Sequence, residues 1–165
     1  MSNKSFYSLV NEGVLAGDMN GSVLSTPPVS ITGATLTCTK EVHAGRTTVI
    51  SAVAGCAVTL PAATGTGSVY RFVIGSTITS NSTTIKVANT TDVMTGRAFV
   101  VSDNTAAVLG FATAAASDTI TLNGTTLGGL VGDHIEIIDA ITGTFAVRVF
   151  TAATGTEATP FSATV

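Results

Sequence analysis

The sequence predicts an all-β domain, a β-sandwich or jelly-roll-like barrel, preceded by an extended N-terminal arm. Three observations predict it. Thirty of the 165 residues are threonine, whose branched Cβ is stiff at χ1 and suits a pleated strand better than a helix. Charged residues make up only 10%, against roughly a quarter in an average soluble protein. From Ile31 onward, short strand-like runs alternate with turn residues about every 8–15 positions, the spacing of a sandwich or barrel.

Residues 1–30 stand apart from this pattern. The segment "SLVNEGVLAGDMNGSVLSTPPVS" has weak periodicity and ends in Pro27-Pro28, which forces an extended backbone and breaks any ladder. It reads as an arm leading into a single domain over 31–165, and Phe6, Tyr7, Leu9 and Val10 make it apolar enough to want a surface to lie on. Strands are then expected near 31–39, 46–51, 56–60, 69–75, 83–88 and 97–101, each a run of β-branched or apolar residues closed by Gly, Asn, Ser or Asp. Further strands are expected near 107–112, 118–122, 133–139, 144–150 and 161–165. In "VYRFVI", Tyr70, Phe72 and Ile74 share one face while Val69, Arg71 and Val73 share the other. Period two therefore sends the aromatics to the core and leaves Arg71 at an edge or interface. The runs "SAVAGCA" and "GFATAAAS" are too short and too rich in Gly or β-branched residues for stable helices.

The chain also echoes itself. "VTLPAATGTGSVYRFVIG" is answered by "ITLNGTTLGGLVGDHIEIID", the Thr-Leu pairs lying 62 positions apart (121 − 59). Each pair precedes a glycine-bearing turn and a strong strand, so one strand–turn–strand unit is used twice, as a two-sheet fold would do. The Gly65-Thr66-Gly67 turn raises the question of a phosphate loop. Such a loop needs a helix behind it and usually a Lys, whereas here a strand comes next and Tyr70 stands where a third glycine belongs. The loop is expected to turn the chain and bind nothing.

Other chemistry finds little support. The seven Lys and Arg are scattered and net charge is −3, which argues against nucleic acid, since affinity for phosphates comes from clustered cations. No apolar run reaches the 18 or so residues that span a bilayer, and the N-terminus lacks the apolar stretch of a secretory signal. His43 and His134 fall in no metal-ligand spacing. His134 and Glu136 do share a strand face, which reads first as a polar face or salt-bridging interface edge, and less readily as an ion site between symmetry copies. Asp103 in "SDNT" reads as an Asx turn. No nucleophile elbow is present, and aromatic platforms for sugars are scarce, with no Trp and two Tyr. The expectation is a non-enzyme without cofactors. Cys38 and Cys56 read as buried free thiols, with a disulfide as the alternative. The Asn-x-Ser/Thr words at Asn3, Asn81, Asn89 and Asn123 are what chance supplies in so threonine-rich a chain.

Taken together, "TLPAATGTGSVYRFVIG", "ANTTDVMTGRA", "GDHIEIIDAITGTFAV" and the terminal "TPFSATV" resemble the β-rich virion proteins of tailed bacteriophages, most of all the head decoration (cement) proteins. The resemblance covers about residues 40–165 and leaves the arm out. It implies a homotrimer on the outer capsid surface, with the major capsid protein as partner, and brings no catalytic residues. On this view Phe6, Tyr7, Leu9 and Val10 contact the lattice or a neighbour, and His134, Glu136, Ile138 and Phe145 belong to the oligomer contact. The alternatives are a head or tail fibre or receptor-binding module, built on a β-helical or prism-like domain, and a virion-associated glycan hydrolase.

Overall fold

The computed structural model describes residues 27–165. Phe6, Tyr7, Leu9 and Val10 lie outside the described residues. Period two in "VYRFVI" becomes strand β5 (Val69–Ile74), with Tyr70, Phe72 and Ile74 no more than 2% exposed and Arg71 facing out. The other strands are β1 (Val29–Ile31), β2 (Thr35–Thr37), β3 (Thr47–Ile50), β4 (Ala57–Thr59) and β6 (Thr83–Lys86). They continue as β7 (Val93–Ser102), β8 (Val108–Ala112), β9 (Thr119–Leu122), β10 (His134–Ile141), β11 (Thr144–Ala153) and β12 (Phe161–Ser162). A single helical turn, α1 (Lys40–His43), was not expected; His43 is buried, its Nδ1 accepting from the Thr39 N–H at 3.0 Å. Residues 29 and 30, read as arm, belong to β1, so the domain begins directly after the prolines and two residues earlier than the expected boundary at 31.

The strands form two sheets. The large one runs β1-β3-β5-β10-β11-β7-β8 and the small one β12-β9-β6-β4-β2. Between them lies one core, with Tyr70, Phe72, Ile135, Ile137, Phe145 and Val149 from the large sheet meeting Val58, Ile85, Ile120 and Leu122 from the small. Each such side chain, fully buried, contributes roughly 1.5–3 kcal/mol before ordering costs. The architecture is all-β and two-layered, but the barrel reading is corrected: both sheets are open, ending in β1 and β8 or in β12 and β2. Nor is the strand pattern that of an antiparallel jelly roll. β1, β3 and β5 pair parallel in the large sheet while β2, β4 and β6 pair parallel in the small one. The first half thus winds from sheet to sheet like coils of a β-helix. The second half returns to antiparallel pairs, apart from β11 alongside β7.

The internal echo has a structural counterpart. β4 leads from the small sheet through its turn into β5 of the large sheet, and β9 leads likewise into β10. β5 and β10 then pair side by side, Phe72 opposite Ile135 and Tyr70 opposite Ile137. Among the described residues, β10 alone joins the coiled first half of the large sheet to the β11-β7-β8 part.

Candidate functional site

Two candidate sites lie on either side of β10. One is the Gly65-Thr66-Gly67 loop. Gly65 and Gly67 both take φ of +72°, which turns the loop so that successive N–H groups face one point. At that point sits a carboxylate of the chain itself. Asp139, 2% exposed, accepts from the N–H groups of Thr64 (2.9 Å), Gly65 (2.7 Å) and Thr66 (3.1 Å) and from the Thr66 hydroxyl (2.6 Å). The glycines turn the chain through positive φ, as expected, and the turn also forms an anion nest whose anion is internal.

The echo loop repeats the device. Asp133 accepts from Gly129 N–H (2.7 Å), Leu130 N–H (3.0 Å), Ala152 N–H (2.9 Å) and the Thr151 hydroxyl. Asp92 takes the Ala63 N–H (2.8 Å), and Asp118 takes the N–H groups of Thr164 (2.8 Å) and Val165 (3.2 Å). Four buried aspartates thus staple loops by satisfying N–H groups that no strand partner reaches. The Asn-x-Thr words serve similarly. Asn89 Oδ1 accepts from Thr91 and Asp92 N–H, and Asn123 Oδ1 from Thr125 and Leu127 N–H.

These contacts set an acid response. At Asp139 desolvation is the largest influence and pushes the carboxyl up, but the Thr66 hydroxyl and the Thr66, Gly65 and Thr64 N–H groups together hold it below the usual carboxylate range. At Asp118 desolvation is likewise outweighed, by Thr164 N–H, the Thr119 hydroxyl and Val165 N–H. A lowered folded pKa contributes stability that is fully present above the unfolded value and is lost as pH falls through the folded one. Unfolding midpoints measured against pH should therefore be flat from neutrality to about pH 5 and fall below about pH 4.

The second candidate is the outward face of the large sheet. Strand register places Val73, His134, Phe150 and Phe99 in one row across β5, β10, β11 and β7. The His134 and Phe150 rings stack at 5.0 Å between centroids, and Phe150 and Phe99 at 5.4 Å. Phe99 and Phe150 are each 43% exposed, and Val101 and Val108 beside them 50% and 61%. The neighbouring row carries Arg71, Glu136, Arg148 and Arg97, Arg71 Nε lying 3.2 Å from Glu136 Oε2. Two shallow hollows of about 480 Å³ flank the strip and share Phe99 and Phe150.

Three of the expected contact residues, His134, Glu136 and Ile138, come together on this face through period two along β10. Phe145 does not. It is 1% exposed and points from β11 into the core, so it is removed from the contact set. Phe99, Phe150, Val101, Val108, Arg97 and Arg148 are the members sequence reasoning missed. Their strands alternate apolar with apolar, as in Ala98-Phe99-Val100-Val101, so polarity does not reveal which face is outward. The Arg71–Glu136 pair is exposed, and its worth to stability is about 0–1 kcal/mol.

Among the described residues, no three His, Cys, Asp or Glu side chains gather where they could hold a metal ion. His134 instead stacks on Phe150 and Glu136 pairs with Arg71. Among the described residues, no helix is long and apolar enough to cross a membrane. Cys38 and Cys56 are buried and unbonded. Burial, with a smaller push from Cys56, raises the Cys38 thiol to about 12, and burial also raises Cys56. Since the thiolate is the reactive form, a soluble disulfide reagent should modify neither thiol until the protein is unfolded. In comparison with known proteins, no family model, no curated protein and no solved structure matches the chain.

Proposed function

We propose that the chain is a decoration protein of a tailed-bacteriophage capsid, a homotrimer that binds the outer capsid surface and stabilises the shell by bridging subunits of the major capsid protein. The observation that carries this reading is the broad outward sheet face with a stacked, exposed aromatic strip at its centre. Exposed apolar patches rimmed by polar groups mark surfaces for association. The phage-like words of the sequence supply the kind of assembly. On this reading the role is structural, with neither catalysis nor a cofactor. His134, Glu136 and Ile138 take part in the trimer contact, and Phe6, Tyr7, Leu9 and Val10 of the arm reach the lattice or a neighbouring copy. A trimer multiplies one modest contact into avidity wherever its spacing matches that of the lattice.

A fibre or tail module is the second reading, favoured by the β-helix-like winding of β1 to β6. Copy number separates the two. Quantitative mass spectrometry of purified virions, scaled to the major capsid protein, should give hundreds of copies for a decoration protein. A handful would favour the fibre module, and absence from particles would overturn both. A monodisperse monomer at high concentration would remove the trimer.

A further inference from the structure

The large sheet ends at β8, and among the described strands that edge is unlike the other three. β1 and β2 are three residues long and β12 two. Pro27-Pro28 stands directly before β1, and Pro160 directly before β12. Short strands and prolines are how a sheet keeps other chains off its edge. β8 has five residues, and from Asn104 to Ser117 the chain carries neither a charge nor a proline.

The ladder shows which groups β8 turns outward. Ser102 N–H donates to the Ala107 carbonyl and Thr113 N–H to that of Gly96, so residues 107, 109, 111 and 113 face β7 by alternation. The N–H and C=O groups of Val108, Gly110 and Ala112 therefore point away from the sheet. All three residues are exposed, and no described loop bonds to their backbone.

This edge complements itself. A second β8, set antiparallel about Gly110, places Gly110 opposite Gly110 and Val108 opposite Ala112, and every outward N–H meets a carbonyl. On the inner side Leu109 then meets Phe111 of the second copy as a non-hydrogen-bonded pair, the closer kind. Both are half-buried, and Phe111 already packs against the core. A strand bearing charges would find no counter-charge along the edge, whereas a second copy brings none. Such a contact also closes, because each copy uses its one unguarded edge and growth into fibres stops at the pair. Two five-residue edges bury less than the roughly 1,200 Å² of the smallest standard interfaces, so the pair forms at micromolar or higher concentration.

We propose that two copies pair through β8, antiparallel about Gly110, joining their large sheets into one. The contact is separate from the β10 contact above, since β11 and β7 lie between the two strands. It does not rest on the capsid reading.

Sedimentation velocity of the full chain from micromolar to millimolar concentration tests this, and the dimer should grow with concentration. Gly110→Lys and Gly110→Glu each set like charges opposite one another. A Cβ at Gly110 has nothing within 4 Å, so both variants should retain the circular dichroism of the fold. Each alone should dimerise at least about fivefold more weakly, and an equimolar mixture of the two should recover the loss. Such recovery requires residue 110 to stand opposite itself. Gly110→Pro removes the central outward N–H, leaves the β7 ladder intact and should abolish the dimer. A chain that stays monomeric throughout would overturn the proposal. So would dimers indifferent to charge at residue 110, or a mixture no tighter than its components. A trimer unchanged in all the Gly110 variants would leave the β10 contact standing and overturn this one.

Discussion

Asp139→Ala is expected to lower the unfolding free energy by about 3–5 kcal/mol, one of the two largest effects of any single substitution here. The side chain is 2% exposed and accepts three backbone N–H groups and a hydroxyl from one loop. Its loss leaves those donors without their charged acceptor, and water reaching them past the exposed residues 64–67 replaces it only in part. The loss of about 3–5 kcal/mol should appear as a fall in Tm of about 10 °C or more. Asp139→Asn keeps the shape and one acceptor oxygen but turns an amide donor toward the loop's donors, so it should fall between wild type and alanine. It should also flatten the loss of stability below about pH 4, since the titrating group is gone. Guanidinium chloride melts of the three proteins at neutral and acid pH check both statements. An alanine variant within about 1 kcal/mol of wild type would show that the loop finds other partners.

Gly124→Ala is expected to cost about 4 kcal/mol or more. Gly124 lies in the echo loop with φ of +76°, and an added Cβ would fall 1.8 Å from the Ile78 carbonyl oxygen. That contact is with backbone, so no rotamer change relieves it. Gly45→Ala is the control, because Gly45 has nearly the same φ of +73° and nothing within 4 Å. It should show only the left-handed strain of a Cβ, about 1–2 kcal/mol. The difference between the variants in one denaturant series isolates the clash. Equal losses would mean that the loop moves away from Ile78.

Much of the fold could be read from residue alternation. Tyr70, Phe72 and Ile74 on one side of β5 and Arg71 on the other define a half-buried strand without further information, and the structure places them so. Sheet order was not legible, because parallel and antiparallel neighbours demand the same alternation and differ only in contacts distant along the chain. Hence the coiled first half was no more than an alternative reading. The nest around Asp139 was missed for a related reason. Its carboxylate lies 73 residues from Thr66, whereas a phosphate loop is recognised by the residues immediately beyond its glycines. The outward face was half legible. His134 and Glu136 stand out as polar residues on an apolar strand, whereas Phe99 and Phe150 look like core. Phe145 stands an odd number of residues from Phe150 on the same strand (150 − 145 = 5), so the alternation turns it into the core.

The position of β10 between β5 and β11 has a consequence for the order of synthesis. The ribosome completes β1 to β6, all the coils of the first half, well before residues 134–141 emerge. Until then β5 is an open edge, and β11, still unmade, cannot receive β7. At about 5–20 residues per second, the lag from Lys86 to Ile141 lasts several seconds, since 55 residues separate them (141 − 86). During that interval the nascent chain carries a strand paired on one side only, with β3, and lined with Tyr70, Phe72 and Ile74. Asp133 and Asp139 arrive with β10, so the same short stretch closes the sheet and ties down both loops that precede its central pair. A nascent chain stalled before residue 133 should therefore remain protease-sensitive throughout, and one stalled with Ala153 clear of the exit tunnel should gain protection in a single step.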